Sequence, residues 1–532
     1  MRVCLVYPHP GEPSGLNIPH GLLQLAAELR AAGHQTRIVD YNSTATGIPY
    51  GDLREFDAVG LSVTTPQLRQ ALEIAAALKD SQLVVWGGVH AFLDPASILN
   101  RFPRHYVIRG EGELPLVELL EVVSRHGRSP ARLRKVPGLC FHDGAPIVAD
   151  PYFNPALDEL HDVDYHDLEH LEEYLHRDIY YCTGKVWCLD ILTSRGCHWD
   201  CSFCINALVA AQGGKYRSKS IAKLRRETEP IVDQFGIRFV SPIDEDFFLN
   251  QPLVDGWMAY AREKGFFWNT NCRYNYFNGK LMRPERLAEY LESGLFQIGM
   301  SIEAGDETIR NTVISKSVRD ADIDRAVARI REVAGPRLQV NTSFIIGFPG
   351  DTRDSRVKML RLMDRLSRSI NVTFSGPQVY RPYPGSRLTD VAPGHEPGNL
   401  DSYLERMADS SDASGMAVGA PRELLDGESY FYTHVARVFF NQRFQFFRHA
   451  PGDGRGRLEL AGAGARAYGA RRAMIWVIQL LFLPILARLK LGWFGGFFEP
   501  RLVGGLARAV DRLLAVARRG SKSGASVGRD RT

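Results

Sequence analysis

Three of the chain's eight cysteines lie within eight positions, at Cys197, Cys201 and Cys204. The run before them, Val186 to Thr193, is apolar enough to predict a buried strand that delivers the three thiols to a loop. An iron–sulfur cube normally takes four cysteine ligands. Three thiolates therefore predict a cluster in which one iron stays open to a small-molecule ligand, and that open corner would be the active site.

Two simpler interpretations of these cysteines compete. A structural zinc site takes four N or S ligands in a closed shell, and His198 could complete such a set. His198 directly follows Cys197 on the same tight loop, however, and the chain has no second C-x-x-C pair. The other alternative is that the cysteines are close by chance. The iron–sulfur interpretation explains the spacing best.

The segment R-G-C-H-W-D-C-S-F-C, with Phe203 before its last cysteine, resembles the signature loop of the cobalamin-binding branch of the radical S-adenosylmethionine enzymes. The resemblance implies that Cys197, Cys201 and Cys204 hold a [4Fe-4S] cluster, and it places Phe203 among the cofactor-binding residues. The fourth iron would chelate the amino and carboxylate groups of S-adenosylmethionine, and electron transfer would release a 5′-deoxyadenosyl radical. The protein's task is then to position the cofactors and to exclude water.

Length and composition limit the number of domains and indicate the cellular compartment. A chain of 532 residues has room for three or four domains. Eight unevenly spaced cysteines do not form a disulfide scaffold, which favours a reducing cytosol. The N-terminus runs straight into a strand pattern and has no secretion signal, so we expect a cytoplasmic protein.

Charge is unevenly distributed along the chain. The net charge is +4, yet residues 451–532 carry +10 and the remainder carries −6. Such asymmetry is typical of contact with a nucleic acid or an anionic membrane surface. Because the motifs indicate small-molecule chemistry, we expect no nucleic-acid partner.

Strands and helices alternate over roughly the first 115 residues, which predicts a doubly wound, Rossmann-like parallel sheet. In such sheets ligands bind beyond the carboxyl ends of the strands. The resemblance implies a cobalamin-binding domain over residues 1–150, although glycines at strand ends also occur in ordinary turns. The residues that it predicts to bind the cofactor are Ser62, Thr64, Gly87, Gly88 and Glu111.

His9 tests one detail of this resemblance. Corrinoid domains that place a histidine beneath the cobalt carry D-x-H-x-x-G after the first strand, whereas this chain has Y-P-H-P-G-E. We therefore expect His9 to be a loop residue and the cobalamin to have no histidine below its metal. A domain that has lost the cofactor is the alternative.

After a linker over residues 151–185, about six β/α units over residues 186–392 predict a (β/α)6 partial TIM-type barrel. Its active site would lie at the carboxyl ends of the strands. Asp244-Glu245-Asp246 follows the second barrel strand and resembles the family's D-D-x-F segment. A carboxylate pairs with a cation, so Asp244 and Glu245 are predicted to contact the S-adenosylmethionine ammonium. A solvated acidic loop is the alternative.

Two further segments resemble family motifs at the ends of barrel strands. In S-I-E-A-G, Ser301 and Glu303 would face the methionyl or ribose groups of S-adenosylmethionine. In the segment similar to G-x-P-G-E-T, Ile346 belongs to the apolar backbone edge that stacks on adenine. Arg273, also at a strand end, is a candidate ligand for a carboxylate or a phosphate.

The β/α rhythm ends near residue 393, and residues 393–532 are predicted to be mostly helical. The aromatic run Ser429 to Phe446 is interpreted as core packing or a cap over the barrel mouth. Ala473 to Ala487 is apolar for fifteen residues, fewer than the ~20 that span a bilayer. Its basic and aromatic flanks fit a helix in a membrane interface, and a buried helical hairpin fits equally well. The first alternative predicts peripheral contact with the inner face of the membrane and a hydrophobic substrate, such as a polyisoprenoid or a tetrapyrrole.

The resemblance favours a cobalamin-dependent radical methyltransferase that acts on an unactivated carbon of a small molecule. A reductant such as flavodoxin or ferredoxin would supply electrons, and methylcobalamin would donate the methyl group. The family also includes cyclases, rearrangement enzymes and methylases of phosphorus. A corrinoid- or cluster-binding sensor is the alternative without catalysis.

Overall fold

The computed structural model describes residues 1–463 except 12–15, 44–47, 180, 382–386, 389–399, 408–427, 430 and 451–454. The predicted apolar helix Ala473 to Ala487 and most of the basic tail lie outside the described residues. Within the described part of the chain, none of the helices has the length and hydropathy of a membrane span.

The N-terminal domain is organised around a sheet of seven strands. These are β1 (Arg2–Tyr7), β2 (Gln35–Asp40), β3 (Ala58–Ser62), β4 (Leu83–Gly87), β5 (Tyr106–Ile108), β6 (Leu139–Asp143) and β7 (Ala145–Ile147). They lie in the order β2-β1-β3-β4-β5-β6-β7, and the first five are parallel. The doubly wound sheet is therefore confirmed, with β6 and β7 added at one edge as an antiparallel hairpin.

Helices cover both faces of this sheet. They are α1 (His20–Ala31), α2 (Leu68–Ala77), α3 (Gly88–Leu93), α4 (Pro95–Arg101), α5 (Glu113–His126) and α6 (Pro130–Leu133). Side chains alternate along a strand, so Val85 packs in one apolar cluster with α1 and α5, whereas Trp86 packs in another with α2 and α4. Both faces are buried, as in other parallel sheets.

The second domain is an open half barrel. Its sheet contains β8 (His176–Asp178), β9 (Lys185–Ile191), β12 (Phe239–Pro242), β13 (Phe267–Asn271), β14 (Leu295–Gly299), β15 (Gln339–Thr342) and β17 (Val372–Phe374), and short pairs are formed by β10 (Ser194–Arg195) with β11 (Arg217–Ser218) and by β16 (Ile345–Ile346) with β18 (Gln378–Val379). Six strands of the main sheet are parallel, and β8 runs antiparallel to β9 at the edge. The predicted (β/α)6 barrel is confirmed.

The barrel helices lie outside the sheet. They are α7 (Leu171–Leu175), α8 (Ile205–Ala211), α9 (Ile221–Phe235), α10 (Gln251–Lys264), α11 (Pro284–Glu292), α12 (Asp320–Val333) and α13 (Arg353–Ser369). In α9 the local sequence sets both ends. The Ser220 hydroxyl accepts a hydrogen bond from the Lys223 N–H at 3.2 Å, and the left-handed Gly236 (φ +60°) ends the helix.

The C-terminal region is helical, as predicted, over α14 (Leu400–Met407) and α15 (Arg437–Asn441). The prediction of a mostly helical region over residues 393–532 does not hold at the end of the described chain, where β19 (Gln445–Ala450) and β20 (Arg457–Ala463) form a hairpin. Tertiary packing explains the difference. Phe447 is buried against Cys188, Phe239 and Phe296, which lie at the beginnings of barrel strands. The hairpin therefore closes the bottom of the half barrel, at the end opposite its mouth.

Candidate active site

The three motif cysteines lie on the loop that follows β9, at the carboxyl ends of the barrel strands. Cys201 is buried, Cys197 and Cys204 are half-buried, and all three are free thiols. Gly196 opens the loop with φ +85°, where a Cβ atom would meet the Lys215 carbonyl oxygen at 2.8 Å. Only glycine makes this turn without strain. At the other end, the Cys204 N–H donates to the Cys201 carbonyl at 3.0 Å, immediately before α8.

Burial governs the acidity of these thiols. It raises the pKa of Cys197 to about 11 and also raises the pKa of Cys204. Among the described residues, no three His, Cys, Asp or Glu side chains are grouped closely enough to hold a metal ion. A single metal ion needs all of its ligands close together, whereas the cysteines of a cluster each bind a different iron. Three thiols with no fourth cysteine on the loop are the donor set of a cluster with one open corner.

Asp244 holds the start of the cysteine loop. Its carboxylate accepts hydrogen bonds from the N–H groups of Thr193 at 2.8 Å and Ser194 at 2.9 Å, and from the Thr193 hydroxyl. Asp244 is completely buried, and this burial raises its pKa to about 7. The sequence predicted that Asp244 contacts S-adenosylmethionine, but here both carboxylate oxygens are bonded to the loop. Its observed part is to position the cysteines.

Asp246 anchors the same loop further along. Its carboxylate accepts hydrogen bonds from the Trp199 indole N–H at 2.9 Å and from the Tyr276 hydroxyl at 2.6 Å. The Arg273 guanidinium stacks over the Trp199 ring at 3.8 Å, and its Nη1 lies 3.9 Å from the Cys201 sulfur. Arg273 thus places a positive charge beside a thiol. A contact with a carboxylate or phosphate of a ligand stays a prediction.

Glu245 is the member of the acidic run that faces outward. Its side chain is exposed, next to the half-buried Asn206 of α8. Partial dehydration by the surrounding protein raises its pKa, and a hydrogen bond from Asn206 opposes that rise. Of the two acidic residues predicted to meet the ammonium of S-adenosylmethionine, Glu245 is therefore the one whose carboxylate is accessible.

Ser301 and Glu303 lie together just beyond β14, as their motif predicted. The Ser343 hydroxyl is 2.8 Å from the Ser301 hydroxyl and 3.4 Å from a Glu303 carboxylate oxygen. Lys316, also buried, forms an ion pair with Glu303 at 3.0 Å. Glu303 adopts φ +71°, a left-handed conformation that is uncommon for a residue with a side chain. Sequence analysis missed Lys316 and Ser343 because neither belongs to a motif.

The apolar side of the site contains the two remaining motif residues. The Phe203 ring lies 5.5 Å from Phe348, which in turn lies 4.8 Å from Tyr380. Ile346 is 2% exposed, and its carbonyl accepts the Tyr380 N–H at 2.8 Å within the β16–β18 pair. Phe203 thus borders this aromatic cluster, whereas Ile346 reaches it only through its backbone carbonyl and packs its side chain in the main core.

The N-terminal sheet has a cavity of about 70 Å³ near the carboxyl ends of its strands. Four small residues on one face of the sheet line it: Gly60, Ser62, Gly87 and Gly110. Opposite them are Leu22 and Leu25 of α1 and Leu116 of α5. A Cβ atom built on Gly87 would meet nothing within 4 Å, so the slot is open at that point. This slot fits the insertion of a planar group between sheet and helices.

The other predicted residues of this domain behave differently. Gly88 also lines the cavity, but at φ +84° its close neighbour is the Val63 backbone, 2.8 Å from a built Cβ. Thr64 lies outside the cavity lining, and its hydroxyl donates to Gln67 at 2.9 Å. His9 accepts the Gly11 N–H at 2.8 Å on its Nδ1 atom, which fits the predicted loop role.

Glu111 joins the two domains. Its carboxylate pairs with Arg217 at 2.9 Å and Arg195 at 3.2 Å, and it accepts the Asn154 N–H at 2.8 Å. Arg195 also pairs with Glu113 at 2.7 Å. These contacts differ from the predicted cofactor contact for Glu111, because its oxygens are bonded to the barrel. Arg195 stands two residues before Cys197. The ion pairs of Glu111 with Arg195 and Arg217, here called the clamp, therefore connect the cysteine loop with the strand end that borders the cavity.

Comparison with known proteins agrees with this geometry. Residues 191–363 match the model of the radical SAM superfamily, and residues 12–120 match the model of the B12 binding domain. This chain belongs to the cobalamin-binding radical S-adenosylmethionine enzymes. The predicted cofactors, a [4Fe-4S] cluster, S-adenosylmethionine and cobalamin, are those of this family and are confirmed at that level.

Two relatives of this chain are a methyltransferase and a methylase. This chain is 26% identical over 410 residues to an uncharacterized methyltransferase of Pyrococcus horikoshii, and the matched region covers 74% of this chain and 83% of the relative. It is 30% identical over 247 residues to the hopanoid C-3 methylase of Methylococcus capsulatus, and the matched region covers 43% of this chain and 45% of the methylase.

Solved structures share the fold. The radical S-adenosylmethionine methyltransferase TsrM from Kitasatospora setae superposes with a TM-score of 0.56 at 19% identity, over 74% of this chain and 77% of that one. The cobalamin-dependent S-adenosylmethionine radical enzyme OxsB gives a TM-score of 0.55 at 17% identity, over 80% and 57% of the two chains. At these identities the likeness concerns the fold alone.

The raised pKa of Asp244 predicts a pH effect on stability. A carboxyl whose pKa rises on folding stabilises the protein fully below its unfolded pKa of 3.8, and this stability is lost as the pH approaches 7. We expect the wild-type apoprotein to lose up to about 1.4 kcal/mol per pH unit over this window, relative to Asp244→Asn. Urea unfolding at three pH values between 4 and 7 measures the difference. A constant difference would contradict the assignment.

Loss of the clamp at Glu111 should lower the free energy of unfolding by more than the loss of a surface ion pair does. Glu111→Gln leaves the partly buried Arg195 and Arg217 short of a counter-charge, so we expect a loss of about 3 kcal/mol in the free energy of unfolding. Glu121→Gln, on the exposed side of α5 and paired only with Arg125 in the described contacts, is the control and should change it by less than about 0.5 kcal/mol. Equal effects of the two variants would argue against the clamp.

Proposed function

We propose that this enzyme is a cobalamin-dependent methyltransferase that methylates an unactivated carbon of a small molecule by a radical reaction. One observation carries the proposal. The loop that holds Cys197, Cys201 and Cys204 is tied through Arg195 to the strand end that borders the glycine-lined cavity. Thiols for a cluster and a slot that would take one end of cobalamin therefore belong to one connected site.

When bound, the cluster, S-adenosylmethionine and cobalamin would supply the electron, the 5′-deoxyadenosyl radical and the methyl group. The protein's own part follows from its contacts. The three cysteines would hold the cluster, and Asp244 and Asp246 would fix the loop that carries them. Glu245, Ser301 and Glu303 would bind the polar groups of S-adenosylmethionine.

The remaining sites complete the proposal. Phe203 and the backbone edge at Ile346 would border adenine. Ser62, Gly87 and Gly88 would line the cobalamin slot, with Thr64 and Glu111 shaping the loops beside it. We propose domains at residues 1–150 for cobalamin, 186–392 for the barrel and 393–532 for the C-terminal region, joined by the linker 151–185. A reductant such as flavodoxin or ferredoxin would deliver electrons to the cluster.

If the three cysteines hold the cluster, replacing one of them should remove the cluster from the protein. Cys201→Ala removes one cluster ligand, so we expect protein produced without oxygen to retain less than about a tenth of the wild-type iron and to form no 5′-deoxyadenosine. Cys188→Ala, at a buried cysteine at the bottom of the barrel, should keep the iron. Iron analysis and electron paramagnetic resonance measure the outcome. Full iron in Cys201→Ala would refute the assignment.

The cavity assignment predicts a separate loss of cobalamin. At Gly87 the backbone is extended, and a side chain would enter the cavity without meeting protein atoms. We therefore expect Gly87→Val to fold normally but to bind hydroxocobalamin at least about tenfold more weakly, because the side chain occupies the slot. Gly51→Val, also with open space at its Cβ position, is the matched control. Visible spectroscopy during a hydroxocobalamin titration measures both. Unchanged affinity in Gly87→Val would place the cofactor elsewhere.

A further inference from the structure

The inward face of the half barrel changes from apolar to polar between its bottom and its mouth. At the bottom, Phe239, Phe267 and Phe296 pack with the hairpin residue Phe447. The pairing of Phe239 with Cys188 and of Ser241 with Asp190 shows which side chains share this face. Continuing toward the mouth, the register places further polar residues on this face: Asp190, Ser241, Asn269, Asn271, Gln297, Gln339, Asn341 and Thr373. Ser343 follows just beyond β15.

Most of these polar side chains are only partly buried. Asn271 is exposed, and the half-buried ones are Asp190, Ser241, Asn269, Asn341 and Ser343, whereas Gln297, Gln339 and Thr373 are buried. On the opposite face of the same strands, Val240, Trp268 and Val340 are at most 1% exposed. Ile243 adds one apolar contact at the rim, where it is 44% exposed. The upper part of the barrel interior is therefore an accessible surface built mainly of amides and hydroxyls.

The hydrogen bonds within this surface show which of its donors and acceptors are already used. The Asn341 amide nitrogen donates to the Tyr181 hydroxyl at 2.7 Å, and the Asn271 amide nitrogen donates to the Asp244 carbonyl at 2.9 Å. One N–H of each amide is thus bonded to the protein, and the Asn269 amide oxygen on the same face accepts the Ser241 hydroxyl at 2.6 Å. The Asn341 amide oxygen is buried and has no donor among the described residues. A buried acceptor without a donor is unfavourable, so this position calls for an N–H or O–H group.

Charge narrows the ligand class further. The carboxylate of Asp190, on the same face, already forms an ion pair with Arg177. That part of the interior consequently offers neutral hydrogen-bonding groups, amides and hydroxyls, without an uncompensated charge. It suits uncharged hydroxyl or amide groups of a ligand better than an ammonium or a carboxylate.

We propose that the substrate is a polar small molecule that carries hydroxyl or amide donors, one of which binds the Asn341 amide oxygen inside the barrel. The inference rests on the proposed function, since it places the substrate at the mouth of the same barrel. It opposes the hydrophobic substrate suggested by the apolar segment near the C-terminus. A polycyclic or polyisoprenoid substrate would leave the amides of this surface without partners.

The test uses the full chain, loaded with iron, sulfide, hydroxocobalamin and S-adenosylmethionine. The probes are the aqueous-methanol phase and the chloroform phase of an extract from cells that carry the gene. We expect the aqueous phase alone to raise the rate of 5′-deoxyadenosine formation. Stimulation by the chloroform phase, or by neither phase, would overturn the polar class. Whether the product gains a methyl group is read separately by its mass, so failure of the proposed function is distinguishable.

A pair of variants tests the surface itself. Asn341→Leu keeps the side-chain size but removes the acceptor, so the stimulation by the aqueous phase should fall about tenfold. Thr270→Val lies on β13 but faces the helices, where its hydroxyl has no partner among the described residues, and it should keep the stimulation. Iron and cobalt contents confirm that both variants are loaded. Equal stimulation of the two variants would overturn the role of Asn341.

Discussion

The ion pairs of Arg195 with Glu111 and Glu113 are the contact on which the site depends most. Two separate α/β layers each present functional residues at the carboxyl ends of their strands, but nothing in either layer alone brings those ends together. Arg195 does so from within the cysteine loop, and Arg217 adds a second bond to Glu111. Because partly buried charges are costly when unpaired, these ion pairs favour the arrangement that pairs them, and the apolar core that runs through both domains supports it.

The acidic segment after β12 shows how one short run serves three purposes. Asp244 points into the protein and fixes the backbone at Thr193 and Ser194, and Asp246 fixes Trp199 inside the cysteine loop. Glu245, between them, points outward. Alternating side-chain direction therefore leaves one carboxylate accessible and uses its two neighbours to hold the loop rigid, which a site that must position a radical requires.

The fold could be predicted because it follows from local periodicity. Strands and helices alternate with helical or extended apolar patterns, and glycines such as Gly236 mark the ends of helices. The positions of the cysteines, Ser301 and Glu303 at strand ends could be predicted because their motifs are short and contiguous. The hydrogen bonds of Asp244 could not, because its partners lie about fifty residues earlier in the chain and no local pattern records that pairing. The contacts of Lys316 and Ser343 with Glu303 were missed for the same reason, since only the folded barrel brings these residues together.

The hairpin of β19 and β20 illustrates the same limit and has a consequence for access to the site. Its sequence is aromatic and was compatible with a helix, but Phe447 fits among the aromatic residues at the bottom of the barrel only as part of a strand. With the bottom filled by apolar packing, the described part of the barrel opens toward the carboxyl ends of the strands, where the cysteine loop and the N-terminal domain also lie. The substrate proposed above would enter there and meet the proposed cofactor-binding residues before it reaches Asn341. The closed floor would then limit how deep that substrate enters, and the amides above it would select the groups that it carries.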